Sequence, residues 1–295
     1  MATRKLFRLK LPTRTLVLGE RTLVMGVLNV TPDSFSDGGK FFTLEKAVDA
    51  ALAMQQAGAD LLDIGAESTR PGSKGISAAQ ELARLLPVLQ ALRGRLKIPI
   101  SIDTQKSSVA EIAVSAGAEI FNDISGLKQD PRLADVAARH RVPLILMHMR
   151  GTPRTMQKQP FAKNVLRDVT SGLRHSIAIA RRAGVAKSQI ILDPGIGFGK
   201  SYAQNYELLA KLPTLANLGY PLLVGTSRKG FIGATLAHTK DGRAHHGKPV
   251  PPSERLWGTA ATVTASILFG AHIVRVHDVP EMLQVARVSD ALLSL

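Results

Sequence analysis

The residues of this chain best equipped for chemistry are Asn29, Asp63, Asp103, Asn122, His148, Asp193, Ser227 with Lys229, and Arg275 with His277, and each closes a short apolar run. Carboxylates and an amide gathered inside an apolar wall suit a flat heterocycle, because paired acceptors and donors fix an amidine-like N–H edge. Lys229, Arg275 and His277 add cations to the same set, which suits a ligand that also carries phosphate. No obvious nucleophile–base pair stands out, so the expected work of these groups is binding and charge stabilisation.

Three longer segments carry the rest of the candidate site. Asn29–Gly39 begins with a neutral oxygen donor of the kind that completes the shell of a phosphate-borne Mg²⁺. In Asp63–Gly72, Thr69 and Arg70 are expected to bind phosphate oxygens, with Asp63 and Glu67 orienting them. Asp193–Lys200 is rich in glycine but lacks P-loop spacing, so its glycines are expected to let backbone and Phe198 approach a ring.

The elements that must position these residues repeat eight times. Leu23–Val30, Ala59–Glu67, Pro99–Thr104, Glu119–Ser125, Pro143–Met149, Ile190–Gly195, Pro221–Ser227 and His272–Asp278 read as strands, and a helix-patterned segment follows each. Eightfold strand–helix alternation predicts a parallel (β/α)₈ barrel of the TIM type, with its site at the C-terminal strand ends. Leu44, Ala47, Val48, Ala51 and Leu52 have the spacing of a helix with one buried face. Ala57-Gly58-Ala59, Ala116-Gly117-Ala118 and Phe269-Gly270-Ala271 each end a helix just before a strand. Residues 1–22 alternate as a short β-hairpin expected to plug the N-terminal mouth of the barrel, and residues 23–295 form the barrel domain. Loops longer than the usual connection are expected after strands one, two and seven, the last over Ala234–Ser253. A metal site from His238, His245 and His246 in that last segment is disfavoured against a solvated loop.

Composition narrows the function classes. The chain has no cysteine, which excludes disulfides and thiolate chemistry. No apolar run is long enough to span a bilayer and no secretory signal is present, so the expected compartment is the cytoplasm, without a membrane partner. Lys and Arg number 38 against 23 Asp and Glu, a net charge of +15 that favours anionic partners. A noncatalytic nucleic-acid or phosphate-ligand binder would interleave basic residues with exposed aromatics. The 9 Phe, 3 Tyr and 1 Trp sit mostly in apolar runs, so no nucleic-acid partner is expected.

Taken in order, Asn29–Gly39, Asp63–Gly72, Ser101–Thr104, Asn122-Asp123, Met147-His148-Met149, Asp193–Lys200, Ser227–Lys229 and Arg275–Asp278 resemble the dihydropteroate synthases, over nearly the whole chain. The resemblance implies condensation of a dihydropterin methyl diphosphate with p-aminobenzoate, giving dihydropteroate and diphosphate, with Mg²⁺ as cofactor. It implies that Asp103, Asn122, Asp193, Lys229, Met147 and Phe198 hold the pterin, and that Asn29, Thr69, Arg70, Arg275 and His277 meet the diphosphate. Asn29 would bind the metal. Phe35, Thr69, Pro71 and Ser227 would line the p-aminobenzoate site, with Phe198 bordering it, and Arg275, His277 and Lys229 would act in catalysis. A homodimer through the last barrel helices is also implied. Ala66 in place of a common glycine and the lengthened segment after Gly233 are departures, and neither removes a matched functional residue. A pterin-dependent methyltransferase domain shares the pocket but has no use for Thr69-Arg70 or Ser227-Arg228-Lys229.

Overall fold

The computed structural model describes residues 4–31, 44–70, 72–157, 161–237 and 248–294. Strands β1 (Phe7–Lys10) and β2 (Thr15–Leu18) pair antiparallel as the hairpin. Eight parallel strands follow: β3 (Leu23–Asn29), β4 (Leu61–Gly65), β5 (Ile100–Asp103), β6 (Ile120–Asp123), β7 (Leu144–Met147), β8 (Ile190–Asp193), β9 (Leu223–Val224) and β10 (Ile273–Val276). Their order is β8-β7-β6-β5-β4-β3-β10-β9, and a bridge between Leu192 and Leu222 joins the two ends. All eight expected strands are present, so the barrel is closed.

Helices cover the outside. They are α1 (Leu44–Gln56), α2 (Ala78–Leu92), α3 (Ser107–Ser115), α4 (Leu133–His140), α5 (Val165–Arg182), α6 (Tyr202–Ala210), α7 (Leu212–Ala216), α8 (Gly230–Leu236), α9 (Leu256–Leu268) and α10 (Val279–Leu293). Helix α1 buries Ala47, Val48 and Ala51, the face its spacing predicts. Ser77 and Ser201 start α2 and α6 with reciprocal capping boxes to Gln80 and Gln204, fixing where the loops after β4 and β8 end. Gly58, Gly117 and Gly270 take positive φ at the helix ends, as expected. The segment expected to be a loop from Ala234 starts later, because Ala234, Thr235 and Leu236 complete the last turn of α8. Its histidines His238, His245 and His246 lie outside the described residues. Among the described residues no helix is long and apolar enough to cross a membrane.

The hairpin does plug the barrel. Leu9, Leu11 and Leu18 pack on Leu23, Met25, Leu61, Ile120, Ile145, Ile191, Leu223 and Ile273, the lowest inward layer. Burial of each such side chain contributes about 1.5–3 kcal/mol. Because side chains alternate along a strand, the next inward residues two positions on are Asp63, Asn122, Met147, Asp193 and Arg275. Between the lower and upper layers the interior changes from apolar to polar. That change puts the site on a dry, rigid floor.

Candidate active site

The upper layer forms a narrow recess lined by Asp103, Asn122, Ile124, Met147, Asp193, Phe198, Gly225, Lys229 and Arg275. Asp63, fully buried beneath it, accepts from Arg275 Nε at 2.7 Å and from Asn122 Nδ2 at 2.9 Å. Arg275 Nη2 reaches on to Asp103 Oδ2 at 3.1 Å. With its amide nitrogen committed to Asp63, Asn122 must present Oδ1 elsewhere, and that buried oxygen meets no hydrogen-bond partner among the described residues. A buried acceptor left unpaired costs about 1–3 kcal/mol, which a ligand N–H can return.

Electrostatics in the recess follow from burial. Loss of water pushes Asp103 up to about 8, against the pull of Arg275 and helped by Asp63. Asp193 is also raised by burial, with Lys229 opposing, and its Oδ1 accepts from the Gly195 N–H at 2.7 Å. Burial pulls Lys229 down to about 8, with Asp193 holding it up. The Lys229 ammonium donates to Ile196 O and lies 4.3 Å from the centroid of the Phe198 ring.

Above the recess opens a cavity of about 570 Å³, lined by Asn29, Ser68, Thr69, Arg70, Phe198, Lys200, Ser227, Lys229, Arg275 and His277 among others. Ser227 Oγ accepts from the backbone N–H of His277 at 3.2 Å and lies 3.0 Å from His277 Nδ1. When the hydroxyl donates to Nδ1, the other ring nitrogen, Nε2, carries the proton. Burial, with Arg275 and Arg228 nearby, pulls His277 down to about 4, so the ring is neutral at pH 7. Arg228 is held by Asp278.

Several expectations need correction. His148 is not part of the ring: it follows inward-facing Met147, points outward, and contacts Lys200 and Asp168 behind the site. Asp63 orients Arg275 and Asn122 rather than the loop after β4. Glu67 pairs with Lys106, which is shared with buried Glu81, while Arg84 donates to Ala66 O at 2.9 Å. The root of that loop is thus tied to α2 and to the start of α3. The aromatics are less confined to the core than expected, since Trp257 is 81% exposed and Phe161, Tyr202, Tyr206 and Phe269 are exposed too. Phe35 and Pro71 lie outside the described residues. Lys200 is the functional candidate that sequence reasoning left without a role, although the Gly195–Gly199 run leading into it marked the position.

For a metal, the donors decide. Asn29 offers one neutral oxygen to the cavity, and among the described residues no cluster of His, Asp or Glu forms a cage. This donor set fits Mg²⁺ carried largely by diphosphate and water, as that ion prefers.

A closed (β/α)₈ barrel with a polar, acid-and-amide recess beneath a cationic mouth defines a barrel of the enzyme type, with a pocket suited to a nitrogen heterocycle bearing an anionic group. The sequence profile described as "Pterin binding enzyme" matches residues 25–277. The chain is 50% identical over 274 residues to a dihydropteroate synthase of Synechocystis, covering 93% of this chain and 91% of the relative. It superposes with a TM-score of 0.88 on Yersinia pestis dihydropteroate synthase in complex with a sulfonamide drug, at 42% identity, covering 98% and 99% of the two chains. Xanthomonas albilineans dihydropteroate synthase in complex with 7,8-dihydropteroate gives 0.83 at 39% identity, covering 98% and 99%. The chain belongs to the pterin binding enzyme family.

Proposed function

We propose that this chain acts as a dihydropteroate synthase, joining a dihydropterin methyl diphosphate to p-aminobenzoate with release of diphosphate. The observation that carries the reading is Asn122 Oδ1, a buried acceptor without a partner among the described residues, set between Asp103 and Asp193. Those three groups would match the donor-rich edge of a pterin, and Met147 and Phe198, which line the same recess, supply apolar surface for the ring.

Ring electrons must support the exocyclic methylene as its bond to diphosphate breaks, and the oxygens of Asn122, Asp103 and Asp193 hold the ring by its polar edge while they do so. Lys229 bridges the recess and the mouth. His277 Nε2 and the guanidinium of Arg275 meet charge growing on the leaving group, with Thr69 and Arg70 above them. Asn29 would hold Mg²⁺ together with the diphosphate, and that ion would neutralise further charge on the leaving group. The aryl amine brings its own lone pair, and Ser227, Thr69 and Phe198 border the space it enters, with Phe35 and Pro71 assigned there by resemblance. The protein is further proposed to be a homodimer through α9 and α10, whose exposed Trp257, Val288 and Leu292 are unusually apolar for a surface.

A coupled assay of diphosphate release tests the activity, with pterin diphosphate, p-aminobenzoate and Mg²⁺ supplied together. Turnover that requires all three is expected. Release independent of the aryl amine would refute condensation.

A further inference from the structure

At the wall of the outer cavity, Lys200 makes an arrangement that the reaction does not itself require. Its side chain is buried, yet its ammonium has four acceptors: Gly195 O at 2.9 Å, Phe198 O at 3.0 Å, and His148 O and Nδ1 both at 3.2 Å. An ammonium has three protons, so the shell is full. Two of the acceptors belong to the turn after β8 and two to the end of β7, so the lysine staples one to the other.

The turn needs such a staple. Gly195, Gly197 and Gly199 all take positive φ, and three alternating left-handed residues form no regular hydrogen-bond ladder. A Cβ on Gly195 would lie 1.9 Å from His148 O, so the turn is pressed against the β7 end and no side chain fits between them. From the other side Lys229 takes Ile196 O, and Asn205 Oδ1 accepts the Gly197 N–H at 2.6 Å. Phe198, at the tip, lines both the inner recess and the outer cavity.

We infer that Lys200 is a positioning residue, which fixes the Gly195–Phe198 turn on the β7 end and so sets Phe198 as the partition between the two substrate compartments. This rests on the proposed reaction for its kinetic consequence, but the staple itself does not. The pterin is held chiefly by Asp103, Asn122 and Asp193, none of which hydrogen-bonds to Lys200, although Asp193 feels its charge, whereas the second substrate meets Phe198 directly. Losing the staple therefore weakens capture of the aryl amine before it weakens the pterin site.

The test is Lys200→Met, which keeps the length and apolar bulk of the side chain. Expected are a KM for p-aminobenzoate raised about tenfold, kcat within about threefold of the parent, and faster hydrogen exchange at the Gly197 and Phe198 amides. Because the parent lacks cysteine, Lys200→Cys offers a single thiol. Aminoethylation in denaturant followed by refolding restores an ammonium at nearly the original place, and is expected to return KM and exchange toward parental values. Propylation of the same thiol is expected to behave like Met. An unchanged KM with unchanged exchange overturns the inference, as does a fall in kcat with KM unaltered. A chain that folds only with the ammonium present also overturns it, making Lys200 a folding element. If the parent itself does not condense the substrates, the proposed reaction fails, and the exchange measurement still decides the staple.

Discussion

Replacing Asp63 by Asn isolates how far the pterin pocket depends on a residue that reaches no ligand. One oxygen of Asp63 accepts from both Arg275 Nε, at 2.7 Å, and Asn122 Nδ2, at 2.9 Å. Asn is the same size and keeps an acceptor there, but the charge is gone. A hydrogen bond to a charged group is worth about 1.5–3 kcal/mol against about 0.5–1.5 for a neutral pair, so each contact loses about 1 kcal/mol. Two contacts give about 2 kcal/mol of lost hold on the orientation of Asn122 and Arg275. A pterin lacking the diphosphate feels the Asn122 contact alone, about 1 kcal/mol, which at 1.4 kcal/mol per decade is about fivefold in its affinity. Stability should move much less, about 1 kcal/mol, because removing a buried carboxylate also removes its desolvation cost. Asp103 should titrate below its present value of about 8, since Asp63 is one of the charges raising it. Calorimetry with the pterin, beside urea unfolding, reads both quantities. Affinity within about threefold of the parent would falsify the claim that Asp63 sets the acceptor geometry of the pocket.

Other expectations are simpler. His277→Ala should slow turnover about 10–100-fold while leaving the affinity for free pterin unchanged, because it removes a donor to the leaving group; a collapse of pterin binding at normal kcat would place His277 elsewhere. Arg275→Ala leaves Asp63 and Asp103 without their shared cation, and should cost about 3–5 kcal/mol in urea unfolding; a loss under about 1 kcal/mol would show the buried cluster to be unstressed. His272, accepting from Leu222 N–H and donating to Lys5 O, is pulled down to about 4 by burial. Its unfolded form binds the proton first, so it contributes stability above about pH 6.5 that is lost as pH falls towards about 4, some 3 kcal/mol in all. His272→Gln should flatten that pH dependence, and an unchanged slope refutes the assignment. Binding of p-aminobenzoate should be undetectable by calorimetry until Mg²⁺ and diphosphate are present, and equal affinity without them would show a preformed aryl-amine pocket.

The barrel was readable because eight apolar runs and eight helical patterns alternate, and a parallel strand buried on both faces needs just such a run. The site was readable as far as residue type and strand end can carry it, through Asp103, Asn122, Asp193 and Arg275. Pairing inside the barrel was not. Asp63 and Arg275 are 212 positions apart, and nothing local to either shows that they meet. His148 shows a different limit, since its face is decided by a single step of alternation from Met147. Glu67 shows a third, since its partner Lys106, and the Glu81 that shares that lysine, stand on neighbouring units whose spacing only the closed barrel sets.

The hairpin that plugs the barrel has a consequence for how the chain is assembled. Arg4 binds Asp290 and Thr22, Lys5 O meets His272, and Thr13 binds Glu119. The hairpin therefore has these partners complete only once β10 and α10 have been made. The plug works as a keystone: on the face farthest from the substrates its polar ties reach across 286 positions of sequence to α10, so its seating registers whether the whole ring of strands and helices has closed.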